Sequence, residues 1–184
     1  MVNTILLIGS STIRKWNNFT LHLKNEQVIN RGISELTTTD LLSTKYTDYI
    51  TTGITQRKPK YIVFYCGIND LFDTVYNNKT ISKTIIKNIR VFLQELHKIF
   101  SSSKIIVISL IKSPKTYNAN KTEDINYINN RIRDFCSIKN PYLQYVNVNR
   151  ELQSSTTNYF MNDGFHLNEI GYEKLNKKIV ESIK

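Results

Sequence analysis

Short apolar runs alternate with longer amphipathic stretches along the chain. Ile5-Leu6-Leu7-Ile8 is continuously apolar and is closed by Gly9-Ser10-Ser11, the pattern of a buried strand ending in a tight turn. Tyr61 to Cys66 is β-branched and aromatic throughout, as a strand covered on both faces requires. Gln27 to Asn30, Lys104 to Leu110 and Gln144 to Val148 predict three further strands. Between them lie helical periods. Leu41, Leu42, Tyr46, Tyr49 and Ile50 predict a helix over Leu36 to Ile50. A long helix from about Ile81 to Phe100 has a stripe of Ile81, Ile85, Ile89, Phe92, Leu93, Leu96 and Ile99. Ile125, Ile128, Ile132 and Phe135 mark another, and Glu169 to Ile183 reads as a closing helix. Pro59 and Pro141 punctuate the pattern, and the polar segment Lys112 to Lys121 reads as a loop long enough to shape a binding site. Strands alternating with helices predict a parallel sheet with helices on both faces. Ligands in such sheets bind outside the carboxyl ends of the strands, where strand order reverses.

The 184 residues suffice for one domain, 1–184, and no linker divides them. Two cysteines, Cys66 and Cys136, give no disulfide framework; Cys66 closes an apolar run and reads as a small buried hydrophobe. A reducing, intracellular setting fits this usage. No basic leader with a cleavage site precedes the first strand, and no apolar run reaches membrane-spanning length, so a soluble protein is expected. The net charge of +10 raises a nucleic-acid reading. The lysines are spread along the chain and no nucleic-acid motif accompanies them, so the charge reads as a solvated surface.

The first turn admits two readings. Ser10 and Ser11 can cap a helix, or Ser11 can be a nucleophile at a helix N-terminus, where unpaired N–H groups and the helix dipole favour negative charge. Three more polar clusters bear on the choice: Asn30-Arg31-Gly32-Ile33-Ser34-Glu35, Gly67-Ile68-Asn69-Asp70, and Asp163-Gly164-Phe165-His166 with Leu167-Asn168 behind it. Two of these follow strands directly and the last lies on a late loop, so all four are expected to converge on one cleft. Together with Gly9-Ser10-Ser11, in this order, they resemble the signature blocks of the SGNH hydrolases, the GDSL family of esterases and lipases. The likeness is greatest to the branch reading Gly-Ser-Ser-x-Ile-Arg at the nucleophile, as Gly9 to Arg14 do here.

The resemblance implies a three-layer α/β/α, flavodoxin-like SGNH-hydrolase fold on a five-stranded parallel sheet. It implies a serine esterase acting on a small ester, with no metal or organic cofactor. Ester cleavage needs a nucleophile, a base and donors for the developing oxyanion. By the resemblance these are Ser11, His166 oriented by Asp163, and an oxyanion hole of the Asn69 side-chain amide with the Ser11 and Glu35 backbone N–H groups. Ser10 stands where the family has aspartate and is expected to replace part of its hydrogen bonding. Glu35 stands where the family has glycine. Its N–H remains available, but glutamate resists positive φ, so its carboxylate must turn to solvent or the hole is remodelled. Arg14 and Trp16 are expected to pack, and His22 and His97 to be structural. The polar loops Leu71 to Lys79 and Lys112 to Lys121 favour a small or polar acyl ester. Two other readings stay open: a catalytically silent protein of the same fold that binds a glycan or acylated ligand, motivated by Glu35, and a flavodoxin-like nucleotide binder, which leaves Asp163 and His166 without a task.

Overall fold

The computed structural model describes residues 2–73, 78–137 and 140–183. Its strands are β1 (Asn3–Gly9), β2 (Glu26–Gly32), β3 (Tyr61–Tyr65), β4 (Lys104–Ile108) and β5 (Leu143–Val146). They form one parallel sheet in the order β2-β1-β3-β4-β5. The helices are α1 (Ser11–Arg14), α2 (Thr38–Leu41), α3 (Thr44–Thr51), α4 (Asn78–Ile99), α5 (Pro114–Asn118), α6 (Thr122–Phe135) and α7 (Glu169–Ile183). α4 packs against α2 and α6 on one face of the sheet. On the other, Tyr172 of α7 lies 5.7 Å from the Trp16 ring and donates its hydroxyl to the Thr12 carbonyl of α1. The result is the three-layer α/β/α architecture expected.

Burial explains the strand patterns. Ile5, Leu6, Leu7 and Ile8 are wholly buried because β1 has a neighbour on each side and helices above and below, so no position is free to be polar. β2 lies at the sheet edge and is mostly half-exposed, which is why its apolar signal is brief and its strand runs longer than Gln27 to Asn30. α4 buries Ile81, Ile85, Ile89, Phe92, Leu93 and Leu96. Ile99 departs from the expected stripe: it is 38% exposed at the helix end, and Phe100 fills the core there instead.

Other boundaries differ from expectation too, and β4 stops at Ile108 rather than Leu110. The helix expected over Leu36 to Ile50 is two helices, because Thr37 caps α2 through a reciprocal box with Asp40 and Ser43 caps α3 by accepting from the Tyr46 N–H. The apolar spacing runs unbroken across Ser43 and hides the break. The segment Lys112 to Lys121 contains α5, started by Ser113 with Pro114 in the first turn and Thr116 bonding back. β5 lies two residues earlier at its end than Gln144 to Val148, stopping at Val146. In the loop Leu71 to Lys79, residues 74–77 lie outside the described residues. No helix among the described residues is long and apolar enough to cross a membrane.

β1 lies between β2 and β3, where the chain reverses its direction of winding, so the loops after β1, β2 and β3 emerge side by side. Their closeness demands glycine twice. A Cβ on Gly9 would stand 1.9 Å from the Tyr65 carbonyl oxygen, and one on Gly32 would stand 2.2 Å from the Arg14 nitrogen. α1 therefore sits directly on the end of β2.

Candidate active site

Ser11 is the first residue of α1, two residues beyond the Gly9 end of β1, and is almost fully buried. Its N–H belongs to the first turn, where no intrahelical acceptor exists. The other end of this short helix is held by Asn30, whose amide donates to the Ile13 carbonyl at 2.7 Å while its oxygen accepts from the Gly32 N–H at 2.8 Å. The second signature cluster thus fixes the first.

His166 reaches Ser11 from the far end of the sequence. Its Nε2 lies 3.0 Å from Ser11 Oγ, and its Nδ1 lies 2.6 Å from Asp163 Oδ2. Asp163 Oδ1 also accepts the N–H groups of Phe165 and His166 at 2.8 and 2.9 Å. Desolvation opposes charge on this carboxylate, but the hydrogen bonds from the His166 ring and the two N–H groups, with the attraction of His166, outweigh it and hold Asp163 well below the usual carboxylate range. An ionised Asp163 can only accept, so Nδ1 carries the hydrogen and Nε2 is left to accept from the Ser11 hydroxyl. The loop is wired independently of these contacts. Met161 N–H donates to the His166 carbonyl, Gly164 N–H to the Met161 carbonyl, and the Asn168 amide to the carbonyls of Asn158 and Phe160.

The loop after β3 carries Asn69, which opens a 3-10 turn over Asn69–Phe72. One Asn69 amide hydrogen is used: Nδ2 donates to the Leu36 carbonyl at 3.0 Å. Cys66 Sγ, at 3.5 Å, donates to the same carbonyl. Asn69 is thereby joined to the segment holding Glu35. Glu35 has φ +63°, the left-handed region that favours glycine, and its side chain is exposed.

The sequence matches the GDSL-like Lipase/Acylhydrolase family over residues 9–174. The chain belongs to that family. It is a hydrolase of ester bonds. No curated protein matches its sequence. Among solved structures, it is similar to a Streptococcus pneumonia protein described as a candidate platelet activating factor, at 19% identity and a TM-score of 0.78 over 100% of this chain and 84% of that one. It is similar to the lipase/acylhydrolase of Enterococcus faecalis, at 21% identity and a TM-score of 0.72 over 99% of this chain and 95% of that one. The acetyl xylan esterase AlAXEase aligns at 16% identity and a TM-score of 0.73 over 98% of this chain and 100% of that one. At these identities the likeness is one of fold.

Two expectations about this hydrolase are corrected by its structure, at Ser10 and at Arg14. Ser10 does not take over hydrogen bonding from the family's aspartate: its hydroxyl is wholly buried with no partner among the described residues, and only its backbone works, accepting from Ile13 and Arg14. It caps nothing with its side chain either. A cavity of about 860 Å³ lies between the segment after α1 and α7; Trp16, Leu167 and Tyr172 help line it, and Ser11, His166 and Asp163 do not. Trp16 packs edge-on against Phe19 at 4.8 Å, while Arg14 is exposed rather than packed. His22 lies exposed in a loop, and His97 stacks on Tyr142 at 3.7 Å.

Sequence reasoning left Asp70 without a role. Its carboxylate is buried, and both oxygens accept the Thr38 N–H at 3.0 Å while Oδ1 takes the Thr38 hydroxyl. Asn88 of α4 donates to the same hydroxyl at 3.3 Å. Desolvation raises the Asp70 pKa, and the Thr38 hydrogen bonds oppose that rise without cancelling it. Asp70 follows Asn69 directly, which was the available signal. Among the described residues no cluster of histidine, cysteine or carboxylate side chains is arranged to hold a metal ion.

Proposed function

We propose that this enzyme cleaves a small carboxylic ester through an acyl-enzyme on Ser11, with His166 as the base and Asp163 orienting it. The observation that carries this reading is the unbroken line from Asp163 Oδ2 through the His166 ring to Ser11 Oγ, at 2.6 and 3.0 Å. Ser11 Oγ attacks the carbonyl carbon as its proton passes to His166 Nε2. The carbonyl oxygen becomes an oxyanion, held by the free amide hydrogen of Asn69 and the N–H groups of Ser11 and Glu35. The ester C–O bond then breaks and His166 returns its proton to the leaving alcohol. Water, deprotonated by the same imidazole, releases the acid and restores Ser11. Asp163 stays ionised throughout and stabilises the imidazolium.

Losing one oxyanion donor typically lowers the rate about a hundred- to a thousandfold. The exposed Glu35 side chain supports a hole in which only the backbone of that residue takes part. A small acyl group on a polar alcohol fits the polar segment at Lys112 to Lys121 and the acetyl esterase named among the similar structures. The Gly9-Ser10-Ser11-Thr12-Ile13-Arg14 run places the chain, on this reading, in the branch that shares it. Hydrolysis of p-nitrophenyl acetate and labelling by a fluorophosphonate test the proposal together. Ser11→Ala is expected to abolish both, and retained turnover in that variant moves the nucleophile elsewhere.

A further inference from the structure

Beside the catalytic loop stands an ammonium that the chemistry above does not use. Lys115 Nζ lies 5.0 Å from the centre of the Phe165 ring and 5.5 Å from that of Phe72. The two rings meet edge to face at 5.5 Å, and Phe165 in turn meets the His166 ring at 5.3 Å. Lysine stems usually lie along apolar surface with the charged head in water. Here the head itself is drawn over two aromatic faces, within the range of a cation–π contact. It forms no ion pair with a carboxylate among the described residues. An ammonium has three donors, and two ring faces engage at most two of them.

The backbone beneath Lys115 is fixed to the catalytic loop. Lys115 N–H donates to the Gly164 carbonyl at 2.9 Å, and a Cβ on Gly164, between Asp163 and Phe165, would stand 3.4 Å from Pro114 Cβ. The Ser113 cap starts α5 at that point. The backbone that carries the ammonium is therefore fixed relative to His166, and the exposed side chain reaches back over the two rings. In the proposed reaction His166 protonates the leaving oxygen, so the alcohol part of the ester lies beside the imidazole, which the Phe165 ring adjoins.

We infer that Phe72, Phe165 and Lys115 form a leaving-group subsite that selects esters whose alcohol portion carries an anionic group, the rings packing its carbon skeleton and the ammonium pairing with its charge. This inference rests on the esterase reading and names the substrate class of that same site. Neither ring supplies negative charge to neutralise Lys115 fully, so an anion arriving beside His166 meets a positioned cation with a free donor.

The test uses 4-acetoxybenzoate and its uncharged methyl ester, methyl 4-acetoxybenzoate, with the whole protein and its Lys115→Gln, Lys115→Glu and Lys115→Arg variants. The readout is the ratio of kcat/KM for the anionic substrate to that for the neutral one; the different reactivities of the two phenols cancel when proteins are compared. Lys115→Gln is expected to lower the ratio about fivefold, a typical worth for one exposed charge pair. Lys115→Glu should lower it further, and Lys115→Arg should keep it within about twofold. A ratio unmoved by both Gln and Glu overturns the inference while leaving the esterase intact. If the protein hydrolyses neither ester and fluorophosphonate does not label Ser11, the esterase reading falls, and the subsite is read by NMR titration with 4-hydroxybenzoate. Binding about fivefold weaker in Lys115→Gln then supports the anion site, and equal or absent binding overturns it.

Discussion

At Glu35 the backbone has φ +63° although the residue is not glycine. Left-handed geometry costs an L-residue about 1–2 kcal/mol, and glycine returns part of that through its greater freedom in the unfolded chain. Glu35→Gly is therefore expected to stabilise the protein by about 1 kcal/mol, measured as a shift in urea midpoint. Because the N–H is common to both residues and the glutamate side chain is exposed, ester turnover should change less than about threefold. A gain of tenfold or more would show that the carboxylate reaches into the proposed oxyanion hole. Ser10 is the opposite case: a small polar side chain with nothing to bond among the described residues. Its residue type is compatible with a cap, and only the packing around it reveals the hydroxyl as isolated.

Among the elements, the join between the loop after β3 and the start of α2 governs the side proposed to hold the oxyanion. Asn69 to Leu36 and Asp70 to Thr38 fasten the two segments at adjacent residues, with Asn88 of α4 behind them. Asp70→Ala would leave the buried Thr38 N–H and hydroxyl without their acceptor, and each unmet buried group costs about 1–3 kcal/mol. Destabilisation of about that size is expected in denaturant titration, with a fall in kcat exceeding any rise in KM, because Asn69 and Glu35 lose their common support. An unchanged kcat in a folded Asp70→Ala protein would show that the Asn69–Leu36 bond suffices alone. The boundaries missed at Ser43 and Ser113 have a shared cause. Caps are single residues, and the apolar period on either side of Ser43 continues in phase, whereas Ser113-Pro114 lies in a stretch too polar to show a period.

For the molecule as a whole, one core runs through both faces of the sheet, and both thiols report on it. Cys66 is buried, with desolvation and then the nearby Asp70 charge pushing its thiol well up; burial carries that of Cys136 to about 12 against the pull of Arg90. Thiolate is the reactive form, so both should resist DTNB in the native state and react together only on unfolding. Native labelling of Cys66 at the rate of a free thiol would show that the core opens locally around Gly67.

The order of strands and helices, the buried character of β1 and β3, and the four polar clusters were legible in the chain itself, because burial imposes its period on side chains and chemistry demands particular residue types. The closing helix at Glu169–Ile183 was readable to the residue. What only folding decided was proximity. Ser11 and His166 are 155 residues apart, and no local pattern measures the 3.0 Å between them. The positive φ at Glu35, the isolation of the Ser10 hydroxyl, the Asp70 clamp and the ammonium over two rings are likewise products of which loops meet. Sequence period records what each residue faces; contacts between distant loops depend on strand order and crossover, which only the assembled sheet sets.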